Sequence, residues 1–164
     1  MMAQLQRWAA QRGYRVAWGP RKLVETVLRQ IALRRDGLEL DGRFYLSELE
    51  APIREGGDDC GQTVVVVAKP RPAHMVSFEF EGRVLDAVLP PTYFRYRAVF
   101  EDVRVDLAAN GLPGAHVEIL AAPLKAIANG LGLVSYGRNN ISFVPGLGSY
   151  FQLCGKRCCL WPAS

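Results

Sequence analysis

The segment PLKAIANGLGLVSYGRNNISFVPGLGSY, residues 123–150, gathers the groups of this chain best suited to hold a ligand. Gly137, Gly146 and Gly148 permit positive φ and let a bound molecule touch the main chain. Asn139 and Asn140 can present amide donors and acceptors at a loop tip, and Arg138 a fixed cationic fork. Tyr136 and Tyr150 offer flat apolar walls ending in hydroxyls. Together they would suit a large, flat ligand fringed with amides or carboxylates. Equally, they could form two tight turns that use Gly, Asn and Pro for their dihedrals alone. Residue type leaves both readings open.

Other chemistries have less to stand on. His74 and His116 are far apart in sequence with no acid at ligand spacing, which disfavours a metal site. GLGLVSYG (130–137) meets a dinucleotide fingerprint only loosely and in the wrong context; there is no Walker loop and no nucleophile elbow. Of the four cysteines, Cys60 stands alone, and Cys154, Cys158 and Cys159 form C-x3-C-C near the end. Zinc and iron–sulfur sites want C-x2-C pairs, so free thiols are expected.

The elements that must position the segment follow from periodicity. A first helix is expected around 2–12, stopped by Gly13. In a second, Pro20 suits the first turn, Val24, Val27, Leu28 and Ile31 form one stripe, Arg34 and Arg35 suit the negative end, and Gly37 ends it. FYLSELEAPI (44–53) predicts a short helix ended by Pro52, and REGGDDCGQ (54–62) a surface loop. TVVVVAKP (63–70) has the β-branched run of a central strand buried on both faces. HMVSFEFEGRVLDAVLPP (74–91) alternates, with Glu81-Gly82 where a hairpin turn would fall.

Helical spacing returns over 92–111, where Tyr96, Val99, Phe100, Val103 and Leu107 share a face and Gly111 closes. AHVEIL (115–120) is a short strand, Pro123 opens a short helix, and ISFV (141–144) and SYFQLC (149–154) are strand-like. Helices mixed with partly adjacent strands indicate one domain of α+β class: a mixed sheet of about four to six strands flanked by helices on both sides.

Hydrophobic residues make up 49% and charged residues 22% of the 164, the balance of a globular chain with room for a core. No apolar run approaches the ~20 residues of a membrane span. The start lacks the pattern of a secretory signal, so a cytoplasmic protein with no membrane partner is expected. Residues 1–35 hold eight bases against Glu25, leaving −3 on the remainder of a chain of net +4. Such an end would suit nucleic-acid phosphates, tRNA included; sparse aromatic interleaving favours a solvated arginine-rich face instead.

APLKAIANGLGLVSYGRNNISFVPGLGSYFQL (122–153) resembles a segment of epoxyqueuosine reductases and related iron–sulfur double-cluster proteins, where a P-L-K helix start leads to G-L-G, Y/W-G-K/R-N and G-S-W/Y/F-x-x-L. LPPTYFRY (89–96) and TVVVVAKPRP (63–72) also resemble that family. The resemblance implies a corrinoid-binding domain over 1–155 on a nitroreductase-like or cobalamin-processing-protein-like three-layer sandwich. Its cofactor would be cobalamin, lying against the glycine-rich backbone. Ser149 and Tyr93 join the candidate contacts through the resemblance, as does Lys125, which could instead cap the approach to its helix.

This sequence departs from the family twice. The cysteine runs of a ferredoxin module are missing; residues 156–164 look like an aberrant or truncated tail, and iron–sulfur clusters are expected to be absent. The family's acid stands three residues before the proline, where this chain has Leu120; Glu118 is the nearest candidate proton donor and a surface or strand glutamate otherwise. The expected function is thus corrinoid binding in a relative of epoxyqueuosine reductases and reductive dehalogenases, with reduction only if a separate ferredoxin-type protein supplies electrons. The alternatives are a non-catalytic cobalamin carrier, a flavin-binding variant, or a ligand-free remnant forming a homodimer.

Overall fold

The computed structural model describes residues 1–37, 63–71, 73–89, 95–120 and 122–159. The expected helix at 44–53, the loop at 54–62 with Cys60, Tyr93 and residues 160–164 lie outside them. A four-stranded sheet takes the order β1 (Arg15–Pro20), β2 (Thr63–Pro70), β8 (Phe151–Cys159), β5 (His116–Ile119). The α+β class read from sequence stands. Within it the pairings among the described strands are all antiparallel rather than mixed.

The valine run behaves as its composition demands. Val64 to Val67 are at most 2% exposed, because β2 is flanked by β1 and β8 and covered on both faces. Val65 and Val67 meet α1 (Met2–Gln11) and α3 (Tyr96–Asp106) through Leu5, Trp8, Val99 and Val103. Val64, Val66 and Ala68 meet α2 (Arg21–Gly37) and α4 (Leu124–Gly130) through Val24, Val27, Ile127 and Ala128. Period-2 alternation in the strand and 3.6 spacing in the helices thus make three layers. No helix among the described residues is long and apolar enough to cross a membrane.

Two elements differ from expectation. The helix expected over 92–111 is α-helical only to Asp106 and then widens to a π-turn, Leu107–Gly111, closed by Leu112 N–H to the Leu107 carbonyl at 2.7 Å. Gly111 is required there by crowding: a Cβ would stand 2.7 Å from Leu107 and 3.0 Å from Trp8.

The second difference is larger. Residues 156–159, read from sequence as part of an aberrant or truncated tail, continue β8, and Lys156, Arg157 and Cys158 are buried between β2 and β5. Each buried cation finds a distant partner. Lys156 donates to the Phe100 carbonyl at 2.5 Å, and Arg157 Nε donates to Glu118 at 3.1 Å. Burial of a charge is tolerated when its protons are received. Cys154 and Cys158 are buried and joined in no disulfide.

Beyond the sandwich, β3 (His74–Phe80) and β4 (Arg83–Leu89) form a hairpin that, among the described residues, pairs only with itself. Its turn is the expected Glu81-Gly82, both at positive φ, 49° and 70°, the dihedrals of a two-residue type I′ connection.

Candidate functional site

The chain from α4 to β8 is built of two turns. β6 (Ser135–Tyr136) pairs with β7 (Ser142–Phe143), enclosing residues 137–141. Gly137 N–H donates to the Ile141 carbonyl at 2.8 Å, Asn140 N–H to the Gly137 carbonyl at 3.0 Å, and Ile141 N–H to Asn139 Oδ1 at 3.2 Å. Asn140 takes φ 59°, which Asn tolerates better than most residues. Gly137, which could take positive φ, does not adopt it; its place is set by Asn139 Oδ1, 3.0 Å from where a Cβ would stand.

Val144 and Gly148 close the second turn, exchanging N–H···O bonds at 2.9 and 3.0 Å. Gly146 and Gly148 do stand at positive φ, 78° and 66°. They differ in surroundings. A Cβ on Gly146 would lie 3.2 Å from the Arg15 guanidinium, whereas one on Gly148 would meet nothing within 4 Å.

Two cavities flank α4. One, of about 380 Å³, is lined by Leu124, Lys125, Ile141, Ser142, Ser149 and Phe151, among others. The other, of about 610 Å³, lies against α2 and takes Thr26, Gln30, Asn129, Tyr136 and Asn140. Both fall in the size range of small-molecule pockets. The expected contacts therefore divide: Lys125 and Ser149 line the first cavity, Tyr136 and Asn140 the second. Arg138, Asn139, Gly146 and Tyr150 stand exposed on the turns and line neither. Burial pushes the Tyr136 phenol up, so it keeps its proton.

Sequence reasoning missed Ser142. It is 6% exposed, lines the first cavity, and its hydroxyl has no hydrogen-bond partner among the described residues. A buried hydroxyl left unpaired costs free energy, and such groups call for a reason. The detectable signal was the pattern I-S-F-V. Here the apolar Ile141 and Phe143 stand about half exposed, while Ser142 and Val144 face inward. That inverts the usual rule for a half-buried strand.

Glu118 does not join these groups. It stands on β5 opposite Arg157 and bonds both that guanidinium and His116 Nε2, the latter at 3.1 Å. Arg157 first, then His116, holds its carboxyl below the usual range. A general acid needs its proton, so this geometry favours the alternative reading of Glu118, a strand glutamate paired within the sheet, over a proton donor. Among the described residues, no group of three or more His, Cys, Asp or Glu side chains comes together.

No protein-family profile matches the chain. No curated protein matches it either. Its structure resembles epoxyqueuosine reductase from Streptococcus thermophilus, with TM-score 0.69 at 15% identity over 99% of this chain and 47% of that one. The same enzyme from Bacillus subtilis, in a form whose catalytic loop is swung out of the active site, gives 0.64 at 14% over 99% and 46%. A selenomethionine-labelled epoxyqueuosine reductase gives 0.58 at 14% over 96% and 45%. The chain therefore shares the fold of these reductases and spans about half the length of each.

Proposed function

We propose that this chain is a corrinoid-binding domain related to epoxyqueuosine reductases, in which the turns at 137–141 and 144–149 receive the ring. One observation carries the reading: Ser142 presents a buried, unpaired hydroxyl to a cavity whose rim holds Lys125 and Ser149. A corrin edged with amides offers that hydroxyl its missing partner, and Arg138 and Asn139 are exposed nearby to bond further amides. Gly148, with empty space where a Cβ would go, lets a flat ligand approach the main chain. The fold shared with epoxyqueuosine reductases is consistent with this use of the site.

Bound cobalamin would supply cobalt-centred reduction, with electrons from a separate ferredoxin-type protein. The chain's own residues would bind and orient it. No carboxylate lines either cavity among the described residues, and Glu118 is committed to Arg157, which favours a cobalamin carrier as the second reading. The test is the visible spectrum after incubation with hydroxocobalamin and gel filtration, in oxidised and reduced forms. Corrinoid absorbance in the protein fraction is expected; none in either form would overturn the assignment. Retained corrinoid that turns over no substrate with a reduced ferredoxin present would select the carrier.

A further inference from the structure

The hairpin of β3 and β4 leaves the sandwich with no strand beside it among the described residues. Cross-strand pairs Val76–Ala87, Phe78–Leu85 and Phe80–Arg83 fix one face, and Met75–Val88, Ser77–Asp86 and Glu79–Val84 the other. The first face is apolar apart from Arg83 at its tip and His74 at its base, where His74 pairs with Leu89. Its members Val76, Phe78, Phe80 and Leu85 are 37%, 48%, 58% and 42% exposed. The acids Glu79 and Asp86 are kept on the opposite face, where Ser77 donates to Asp86 at 2.6 Å. An isolated two-stranded hairpin is marginal in water, so an arm of this composition needs a cover.

We infer that the cover is the same face of a second copy of this chain, the two hairpins stacking across a two-fold axis. Area supports this occupant. The four large side chains leave on the order of 400 Å² of apolar surface in water, and at the usual apolar share of about 60% two such faces bury roughly 1,300 Å², enough for a specific interface. Charge allows it. The hairpin carries three acids against one base, a net of −2, and Glu79 and Asp86 stand on the face turned away from the contact. The same acids disfavour an anionic membrane as cover. Segregating them on the outer face allows like hairpins to meet without opposing carboxylates, as an isologous contact requires.

Sedimentation equilibrium of the full chain over a concentration series tests this. A dimer is expected for wild type, and a monomer for Phe78→Glu, with unchanged far-ultraviolet circular dichroism. Val84→Glu, on the opposite face, should remain dimeric. A wild type monomeric at every concentration, or a Phe78→Glu variant that still dimerises, would overturn the inference and assign the face to another partner. Hydrogen exchange on wild type keeps the question decidable should Phe78→Glu misfold. Protection of residues 74–89 should rise with protein concentration, and protection independent of concentration would refute the dimer.

Discussion

Lys125 and Asn140 join the first turn of α4 to the tip of the β6–β7 turn, the ammonium donating to the Asn140 carbonyl at 3.3 Å. The lysine occupies the end of a helix where a cation is disfavoured by the dipole. It is exposed, so helix packing does not demand it. Its reach across to Asn140 places one positive charge between the two cavities and steadies the turn that borders them.

Lys125→Met removes that charge while keeping most of the side chain's length. Stability should stay within about 1 kcal/mol of wild type, as for other surface changes. Corrinoid affinity should fall several-fold, read by calorimetric titration. Unchanged affinity would confine Lys125 to capping the approach to its helix.

Gly148→Ala and Gly146→Ala form a matched pair, because both place a Cβ on a backbone at positive φ. Each should lose about 1 kcal/mol of stability from that strain. Only Gly148 faces open space, so only Gly148→Ala should also obstruct a ligand, weakening corrinoid binding at least tenfold beyond Gly146→Ala. Equal loss in the two variants would reduce both glycines to turn formers.

How far the sequence disclosed this arrangement depends on where each residue finds its partner. The Val64–Val67 strand and the Glu81-Gly82 turn were legible because neighbours within a few residues specify them. The end of β8 was not. Lys156 and Arg157 look like solvated charges until Phe100 and Glu118, 56 and 39 residues away, are brought beside them. Ser142 was hidden for a related reason: alternation reveals that a strand has two faces, and its apolar face was the wrong one to place inward. Glu118 shows the converse, a residue singled out by position whose neighbours across the strand give it other work.

Ser142→Ala separates stability from binding. Removing an unpaired buried hydroxyl should stabilise the ligand-free chain by about 1 kcal/mol, since no hydrogen bond is lost and a desolvation cost disappears. Corrinoid affinity should fall by roughly tenfold through loss of one buried hydrogen bond. Thermal melts without ligand and calorimetry with it give the two readings. A variant less stable than wild type, with full affinity, would show that the hydroxyl has a partner within the fold.

The buried face of β8 sets a pH dependence of stability. Burial lowers the Lys156 ammonium from its ordinary 10.5 to about 8 and raises the thiols of Cys154 and Cys158 from 9.0 to about 11 and about 12. Between pH 8 and 10.5 the unfolded chain holds a lysine proton that the folded chain has released, so this group makes stability rise with pH. Between pH 9 and the folded thiol values, the folded chain holds cysteine protons that the unfolded chain has lost, so these groups make it fall. One proton corresponds to about 1.4 kcal/mol per pH unit. Lysine acts alone from pH 8 to 9, giving a gain on the order of 1 kcal/mol; above 9 two thiols outweigh it and the slope reverses. Urea unfolding across pH 7 to 11 should therefore show a maximum near pH 9 from this trio. Lys156→Met should be the more stable protein at pH 7, by about 2 kcal/mol, because it no longer buries a charge there. It should also lose the rise below pH 9 while keeping the fall above it. A flat profile for wild type, or a Lys156→Met variant less stable than wild type at pH 7, would mean that the bond to the Phe100 carbonyl more than offsets the cost of burying the ammonium.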